Sequence, residues 1–298
     1  MNATHSTDGF FLSRLCVIGV GLIGGSLALA LKRSGCVGRV IGWDADGDNL
    51  MRAKQLGIVD EVAGSCRDAV ADADVVVLAV PVRRMAEVAA SVLPVMKSTA
   101  ILTDTGSVKG TVVEAIEPLA EAARRWFVAG HPISGTEKSG AEAAFAELYR
   151  SKRCILTPTQ GTNPQALEVI TRLWQMAGSD VVLMDVVKHD RILAAISHLP
   201  HMIAYALVNS VSSYDQYPEN ILEYSAGGFR DFTRIASSDP VMWRDIALDN
   251  RDALLEMIEQ FEAFLAELKD DIRQRKSEQL EAFFLNSKLS RDAILTPR

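Results

Sequence analysis

Residues 15–31 read "LCVIGVGLIGGSLALAL". By length the stretch is at the short limit for crossing a bilayer, yet its glycines fall in the middle, where they would weaken a spanning helix. A strand, a tight turn and a helix need them there. Gly19, Gly21 and Gly24 form G-x-G-x-x-G between the apolar run ending at Gly19 and a helical run over Leu22–Ser34. Without side chains, such a turn lets a diphosphate approach the N–H groups at the positive end of the helix.

Outward from this turn, short β-branched runs alternate with helical stretches. Candidate strands are Leu15–Gly19, Arg39–Trp43, Asp74–Val80, Ala100–Thr103, Trp126–Ala129, Cys154–Thr157 and Asp180–Met184, with crossover helices such as Leu22–Ser34 and Arg83–Leu93. Continuous apolar strands suit a parallel sheet covered on both faces. The alternation predicts a doubly wound α/β domain of Rossmann type, with ligands beyond the carboxyl ends of the strands. Asp44 closes the second strand about 20 residues after Gly24, where a carboxylate reaches the adenosine ribose and repels a 2′-phosphate. NAD is therefore expected rather than NADP. Asp44 as a plain surface residue is the simpler alternative, and Asp46 and Asp48 nearby fit that description.

Polar, glycine-bearing loops recur at the later strand ends: "AVPV" with Val80 and Pro81, "TDTGSVKG" and "GHPISGTEKSG". In the last, His131 stands at a predicted strand end, and a neutral imidazole there suits proton abstraction from an alcohol. A turn cap before Pro132 explains it equally well. Asp104, Ser107 and Lys109 likewise have an ordinary role in opening turns and capping helices.

From Val186 the strand signal stops, and the domain boundary is placed near Asp185, giving 1–185 and 186–298. One helical pattern covers 186–212, interrupted at Pro200 within "SHLPH"; another covers 240–272. In the latter, Leu254, Ile258, Phe261, Leu265, Leu268 and Ile272 make an apolar seam, facing either a core or a second subunit. A homodimer through this all-α domain is expected. His198 and His201 share one face of their helix. Between the helices, "SAGGFRDFTRIASSDPVMWRD" sets Arg230 and Arg234 among aromatics. Either is suited to grip a carboxylate bidentately, or to pair with Asp231 or Asp239.

Composition excludes other classes. The 298-residue chain has 31 basic and 38 acidic residues, net −7, and no basic stripe, which argues against nucleic acid. Cys16, Cys36, Cys66 and Cys154 lie far apart and form no CxxC pair, so neither a metal knuckle nor a redox motif is expected. The first residues, with His5 and Asp8 and no basic flank, do not resemble a secretion signal. A cytoplasmic protein without a membrane segment is expected.

Taken together, "GVGLIGGS", "TDTGSVKG", "GHPISGTEKSG", "SHLPH" and "GGFRDFTRIASSDPVMWRD" resemble, in order and approximate spacing, the prephenate/arogenate (cyclohexadienyl) dehydrogenases of tyrosine biosynthesis. The resemblance runs from about Leu15 to about Leu268. It implies oxidative decarboxylation of prephenate or arogenate with hydride transfer to NAD. His131 matches the family's catalytic histidine and would accept the ring hydroxyl proton, with Ser107 orienting that hydroxyl and the imidazole. Arg234 would hold the ring carboxylate, supported by Asp231 and Trp243. His201 would contact the side-chain carboxylate, His198 would support it, and Thr136 closes the histidine motif on the substrate side. Gly19, Gly21, Leu22, Ile23, Gly24, Asp44, Val80 and Pro81 would line the cofactor. The resemblance is also compatible with tyrosine as an inhibitor.

Two alternatives remain. A β-hydroxyacid dehydrogenase shares the domain plan and uses a helix lysine, for which Lys188 stands nearest. A non-catalytic NAD-sensing dimer would leave the histidines and the Gly-Gly-Phe-Arg segment without a task.

Overall fold

The computed structural model describes residues 9–214 and 220–295; His5 and Asp8 lie outside them. Strand β1 (Leu12–Ile18) leads through the glycine turn into α1 (Leu22–Ser34). The chain continues through β2 (Val37–Trp43), α2 (Gly47–Gln55), β3 (Glu61–Val62), α3 (Cys66–Val70), β4 (Val75–Leu78), α4 (Val82–Val92), β5 (Ile101–Asp104), α5 (Gly110–Ala122) and β6 (Trp126–Val128). The six strands form one sheet in the order β3-β2-β1-β4-β5-β6, every neighbour parallel. The order reverses at β1 and β4, so the ligand crevice of this topology lies over the glycine turn.

Alternation along β1 builds a core on each face. Leu15 and Val17 pack into one apolar layer with Leu27 and Leu31 of α1, while Cys16 and Ile18 join the other with Met85 of α4 and Ile116 of α5. The chain is thus a Rossmann-type α/β domain followed by helices, as the strand and helix pattern predicts.

Three local expectations need correction, and a fourth is refined. The strands read at Cys154–Thr157 and Asp180–Met184 do not extend the parallel sheet. They are β8 (Arg153–Leu156) and β9 (Asp180–Leu183) of a separate three-stranded sheet, in which β8 lies between β7 (Gly130–Pro132) and β9, with α6 (Pro164–Met176) linking β8 to β9. Nor does His131 follow a strand end: it is the middle residue of β7 (Gly130–Pro132), antiparallel to β8. The chain leaves the first sheet at Gly130, whose N–H bonds the Asp104 carboxylate at 3.1 Å instead of a neighbouring strand. A Cβ there would sit 3.1 Å from both the Asp104 carbonyl oxygen and the Leu156 side chain, a tight approach that favours glycine.

The interruption expected at Pro200 in "SHLPH" is present and takes a definite form. Helix α7 (Val186–Leu193) passes into α8 (Leu199–Ser212) through a π-helical turn, Ala194–His198, in which the Leu199 N–H reaches back to the Ala194 carbonyl. Pro200 has no N–H, and its ring crowds the carbonyl four residues earlier, so the helix widens just before it. By length and composition the run Val186–Ser212 is apolar enough to cross a membrane. Side chains on it nevertheless bond the sheet domain, through His189 to His131 and Asp190 to the N-terminus of α5. The third correction is that the pattern over 240–272 is two helices, α10 (Pro240–Asp249) and α11 (Arg251–Arg273), separated at the buried Asn250. Helix α9 (Gly227–Thr233) precedes them and α12 (Ser277–Leu295) follows.

The chain clusters into two compact units, one reaching Arg251 and the other beginning at Asp252. Within the second, Phe264, Leu265 and Ile272 of α11 and Phe284 and Leu289 of α12 are exposed.

Candidate active site

At the glycine turn, two of the three motif glycines are dictated by packing. Gly19 has φ +93°, and a Cβ on it would lie 2.4 Å from the Ala79 carbonyl oxygen; one on Gly24 would lie 2.1 Å from the Gly19 carbonyl oxygen. Gly21 differs: nothing comes nearer to its Cβ position than the Gly140 nitrogen at 3.9 Å. It is the N-cap of α1, and no side chain caps the helix there. The helix mouth therefore keeps its N–H groups and open space together, as an anion requires. Asp44 is more than a surface residue. Its carboxylate accepts the Val20 N–H at 2.9 Å, the Asn49 side-chain amide at 3.0 Å and the Asp46 N–H at 3.0 Å. Buried Leu22 and half-buried Ile23 begin α1, while Val80 and Pro81 stand at the carboxyl end of β4.

Beyond β5, Asp104 and Lys109 are both fully buried and form an ion pair. Asp104 also accepts the N–H groups of Gly106 at 2.7 Å and Gly130, while Lys109 donates to the Gly130 carbonyl at 2.8 Å. Every polar atom of the pair is answered, which a buried pair needs to be tolerated. Ser107 lies half-buried in the same loop.

His131 is buried, and its Nδ1 lies 2.9 Å from Nε2 of His189, whose own Nδ1 lies 2.8 Å from Asp190. Asp190 then takes the N–H groups of Lys109 and Gly110 at 2.8 and 2.7 Å, holding the start of α5. Burial, reinforced by the nearby His189, Lys109 and His198, keeps the His131 imidazole well below its usual range. Burial by itself would raise the Asp190 carboxyl, but the bonds from His189, Lys109 and Gly110 hold it below the ordinary value. The product is a neutral imidazole backed by an ionised carboxylate.

The two histidines of "SHLPH" divide their tasks. His201 gives Nδ1–H to the Ser197 carbonyl at 2.8 Å, in the widened turn, and stacks on Trp243 at 3.6 Å between centroids. His198, buried, takes a hydrogen bond on Nδ1 from the Asn250 amide at 3.0 Å, and that amide also bonds the Asp190 carbonyl at 2.8 Å. Burial lowers His198 to about 4, with Asp190 opposing and His189 and His201 assisting. The His198 Nε2 and the Trp243 indole nitrogen are buried without a hydrogen-bond partner among the described residues.

Two family models match the sequence: the prephenate dehydrogenase nucleotide-binding domain over residues 27–183, and the prephenate dehydrogenase dimerization domain over residues 185–286. The chain belongs to the prephenate dehydrogenase family. A cyclohexadienyl dehydrogenase of Zymomonas mobilis is 40% identical over 283 residues, 95% of this chain and 96% of the relative. Among solved structures, the prephenate dehydrogenase of A. aeolicus in complex with hydroxyphenyl propionate and NAD+ is 39% identical, with a TM-score of 0.90 and coverage of 96% of this chain and 99% of that one. An arogenate dehydrogenase of Synechocystis is 28% identical, with a TM-score of 0.78 and coverage of 94% and 99%.

In this prephenate dehydrogenase family member, the residues named from the sequence fall into linked groups. His131 is joined to His198 through His189, Asp190 and Asn250, and His198 and His201 both meet the Trp243 ring. Arg234, largely exposed, pairs at 3.2 Å with Glu137, next to Thr136 of the histidine loop, and not with Asp231, which is exposed and has no ion pair among the described residues. Sequence reasoning passed over His189, Asp190, Asn250 and Glu137. His189 did carry a signal, being one of five histidines in the chain. Lys188, the lysine of the β-hydroxyacid alternative, is exposed in the first turn of α7.

Proposed function

We propose that this protein catalyses NAD-dependent oxidative decarboxylation of prephenate, arogenate or both, yielding 4-hydroxyphenylpyruvate or tyrosine. The carrying observation is the buried His131 imidazole, kept neutral and tied through His189 to Asp190. A sensor without chemistry has no use for such a base.

The open Gly21, the uncapped mouth of α1 and the oriented Asp44 fit a dinucleotide with free ribose hydroxyls. Leu22, Ile23 and Gly24 would supply the helix-mouth backbone, and Val80 with Pro81 the opposite wall at the end of β4. When bound, NAD supplies a hydride acceptor. His131 hydrogen-bonds the ring hydroxyl and takes its proton as the ring C–H is lost; Ser107 orients that hydroxyl. The new carbonyl is conjugated through the ring to the ring carboxylate, so CO₂ departs and the ring becomes aromatic. Arg234 holds that carboxylate until it leaves, paired at rest with Glu137, which follows Thr136 on the histidine loop. His201, stacked on Trp243, meets the side-chain carboxylate, with His198 behind it and Asp231 at the rim.

Further parts of the reading rest on the family. The chain would work as a homodimer through its helical part, 186–298, consistent with the exposed apolar residues of α11 and α12. It would act in the cytoplasm, with residues 1–185 binding the nucleotide. Tyrosine, which shares the side chain of arogenate, would compete at the same site. The test is NADH formation at 340 nm with NAD+ and, separately, prephenate and arogenate. Turnover of either supports the reaction and reports the side-chain preference; silence with both, in protein that binds NAD+, overturns it.

A further inference from the structure

Asp190 is an acceptor at every contact: the Lys109 N–H at 2.8 Å and the Gly110 N–H at 2.7 Å leave it to receive, and never to give, the hydrogen shared with His189. Nδ1 of His189 is therefore the protonated nitrogen. Where the His189 ring is neutral, its other nitrogen is then a lone pair and Nε2 of His189 is an acceptor. Nδ1 of His131, 2.9 Å away, then donates to it. The same rule applied once more leaves Nε2 of His131 as the atom that accepts a proton.

We propose that His189, anchored by Asp190, is the positioning residue that fixes His131 in the Nδ1–H tautomer and so makes Nε2 its basic atom. The proposal rests on His131 being the base. His189 is fully buried and the ring pair meets edge-on at 5.1 Å between centroids, so neither imidazole turns over without breaking the chain of bonds. The charged and titratable groups around the pair are Asp190 on α7, Lys109 before α5, and His198 on the π-helical turn. Asn250 ties the Asp190 carbonyl to His198, so the anchor is held from both sides. The alternative tautomer would place a hydrogen on Nε2 of His131 and point a donor where an acceptor is needed. In a hydrolase triad, an analogous tautomer error costs about 10⁴ in kcat.

The experiment joins kinetics with nitrogen NMR of ¹⁵N-histidine protein. In the wild-type enzyme, His131 should show a protonated Nδ1 and an unprotonated Nε2. His189→Leu, which cannot accept, should lower kcat by about 10²–10⁴, leave KM for NAD+ within about threefold, and lose that signature. His189→Gln, whose Oε1 can accept, should recover most of kcat and keep the signature. A wild-type His131 protonated on Nε2, an unchanged kcat in His189→Leu, or a loss in His189→Gln equal to that in His189→Leu would each overturn the proposal. If His189→Leu does not fold, the wild-type signature and His189→Gln decide. His131→Asn separates the two claims: an unchanged kcat there sinks the assignment of the base itself, whereas a lowered kcat beside an unaffected His189→Leu leaves the base and removes only its positioning residue.

Discussion

Lys109 places its ammonium on both the Asp104 carboxylate and the Gly130 carbonyl, one residue before His131, with no part of either charged side chain exposed. The pair fastens the end of β5 to the start of β7, where the chain leaves one sheet for the other. Lys109→Met would strand the carboxylate in a dry interior. The expected destabilisation is about 3–5 kcal/mol, read from urea unfolding followed by fluorescence. A loss under about 1 kcal/mol would mean that Gly106 and Gly130 alone satisfy Asp104.

The glycine turn and Asp44 separate cofactor affinity from cofactor choice. In Gly24→Ala the new methyl would meet the Gly19 carbonyl, a backbone atom that cannot rotate away. NAD+ affinity should fall by at least about tenfold, together with a lower Tm. Asp44→Asn keeps an acceptor for the Val20 N–H but removes the charge facing a 2′-phosphate. Its preference for NAD+ over NADP+, measured as a ratio of kcat/KM values, should fall by about tenfold or more. An unchanged ratio would show that discrimination lies elsewhere.

How far the sequence could be read depended on how local the physics was. Five strands of the parallel sheet, all but the two-residue β3, are marked by short-range patterns of apolar runs and glycine turns, and those survive folding intact. The departure at Gly130 did not register, because it depends on a carboxylate 26 residues earlier capturing one N–H. The break at Asn250 is equally non-local: its amide bonds Asp190 and His198, so a pattern that is locally helical across 240–272 is interrupted from outside. At the site, His131, His198, His201 and Arg234 were picked out by residue type and by resemblance. His189 and Asp190 were missed because a buried histidine in an amphipathic helix has no distinguishing period; beyond the rarity of histidine in the chain, its partner on β7 is what marks it.

Arg234 and Glu137 bear on substrate affinity. Their ion pair is 62% and 39% exposed at the two side chains, so it contributes little to folding. Arg234→Gln should leave Tm nearly unchanged and raise KM for prephenate by about 10–100-fold, the worth of a charge-assisted bond to the ring carboxylate. kcat should change far less. A large fall in kcat with constant KM would mean that the arginine acts only on the transition state.

Opposite protonation requirements fall on His131 and His201, and that sets the pH dependence. Burial lowers both from the usual 6.5; for His201 the Ser197 bond opposes and Arg234 assists. His131 acts when neutral, so its acid limb in kcat/KM should lie below pH 6.5 and not at it. His201 has committed Nδ1–H to Ser197, so a neutral ring offers a substrate carboxylate only the Nε2 lone pair. Nε2 becomes a donor when the ring gains a proton, a state that the Trp243 face stabilises. As pH rises above its lowered pKa, His201 in the free enzyme loses that proton and must regain it to bind. KM for prephenate should therefore climb by up to about tenfold per pH unit across neutral and alkaline pH, with proton uptake detectable by calorimetry in buffers of different ionisation enthalpy. His201→Asn, whose amide donates at any pH, should flatten the climb while leaving the His131 limb in place. A wild-type KM that is constant from pH 6 to pH 9, without proton uptake, would place the side-chain carboxylate on another group.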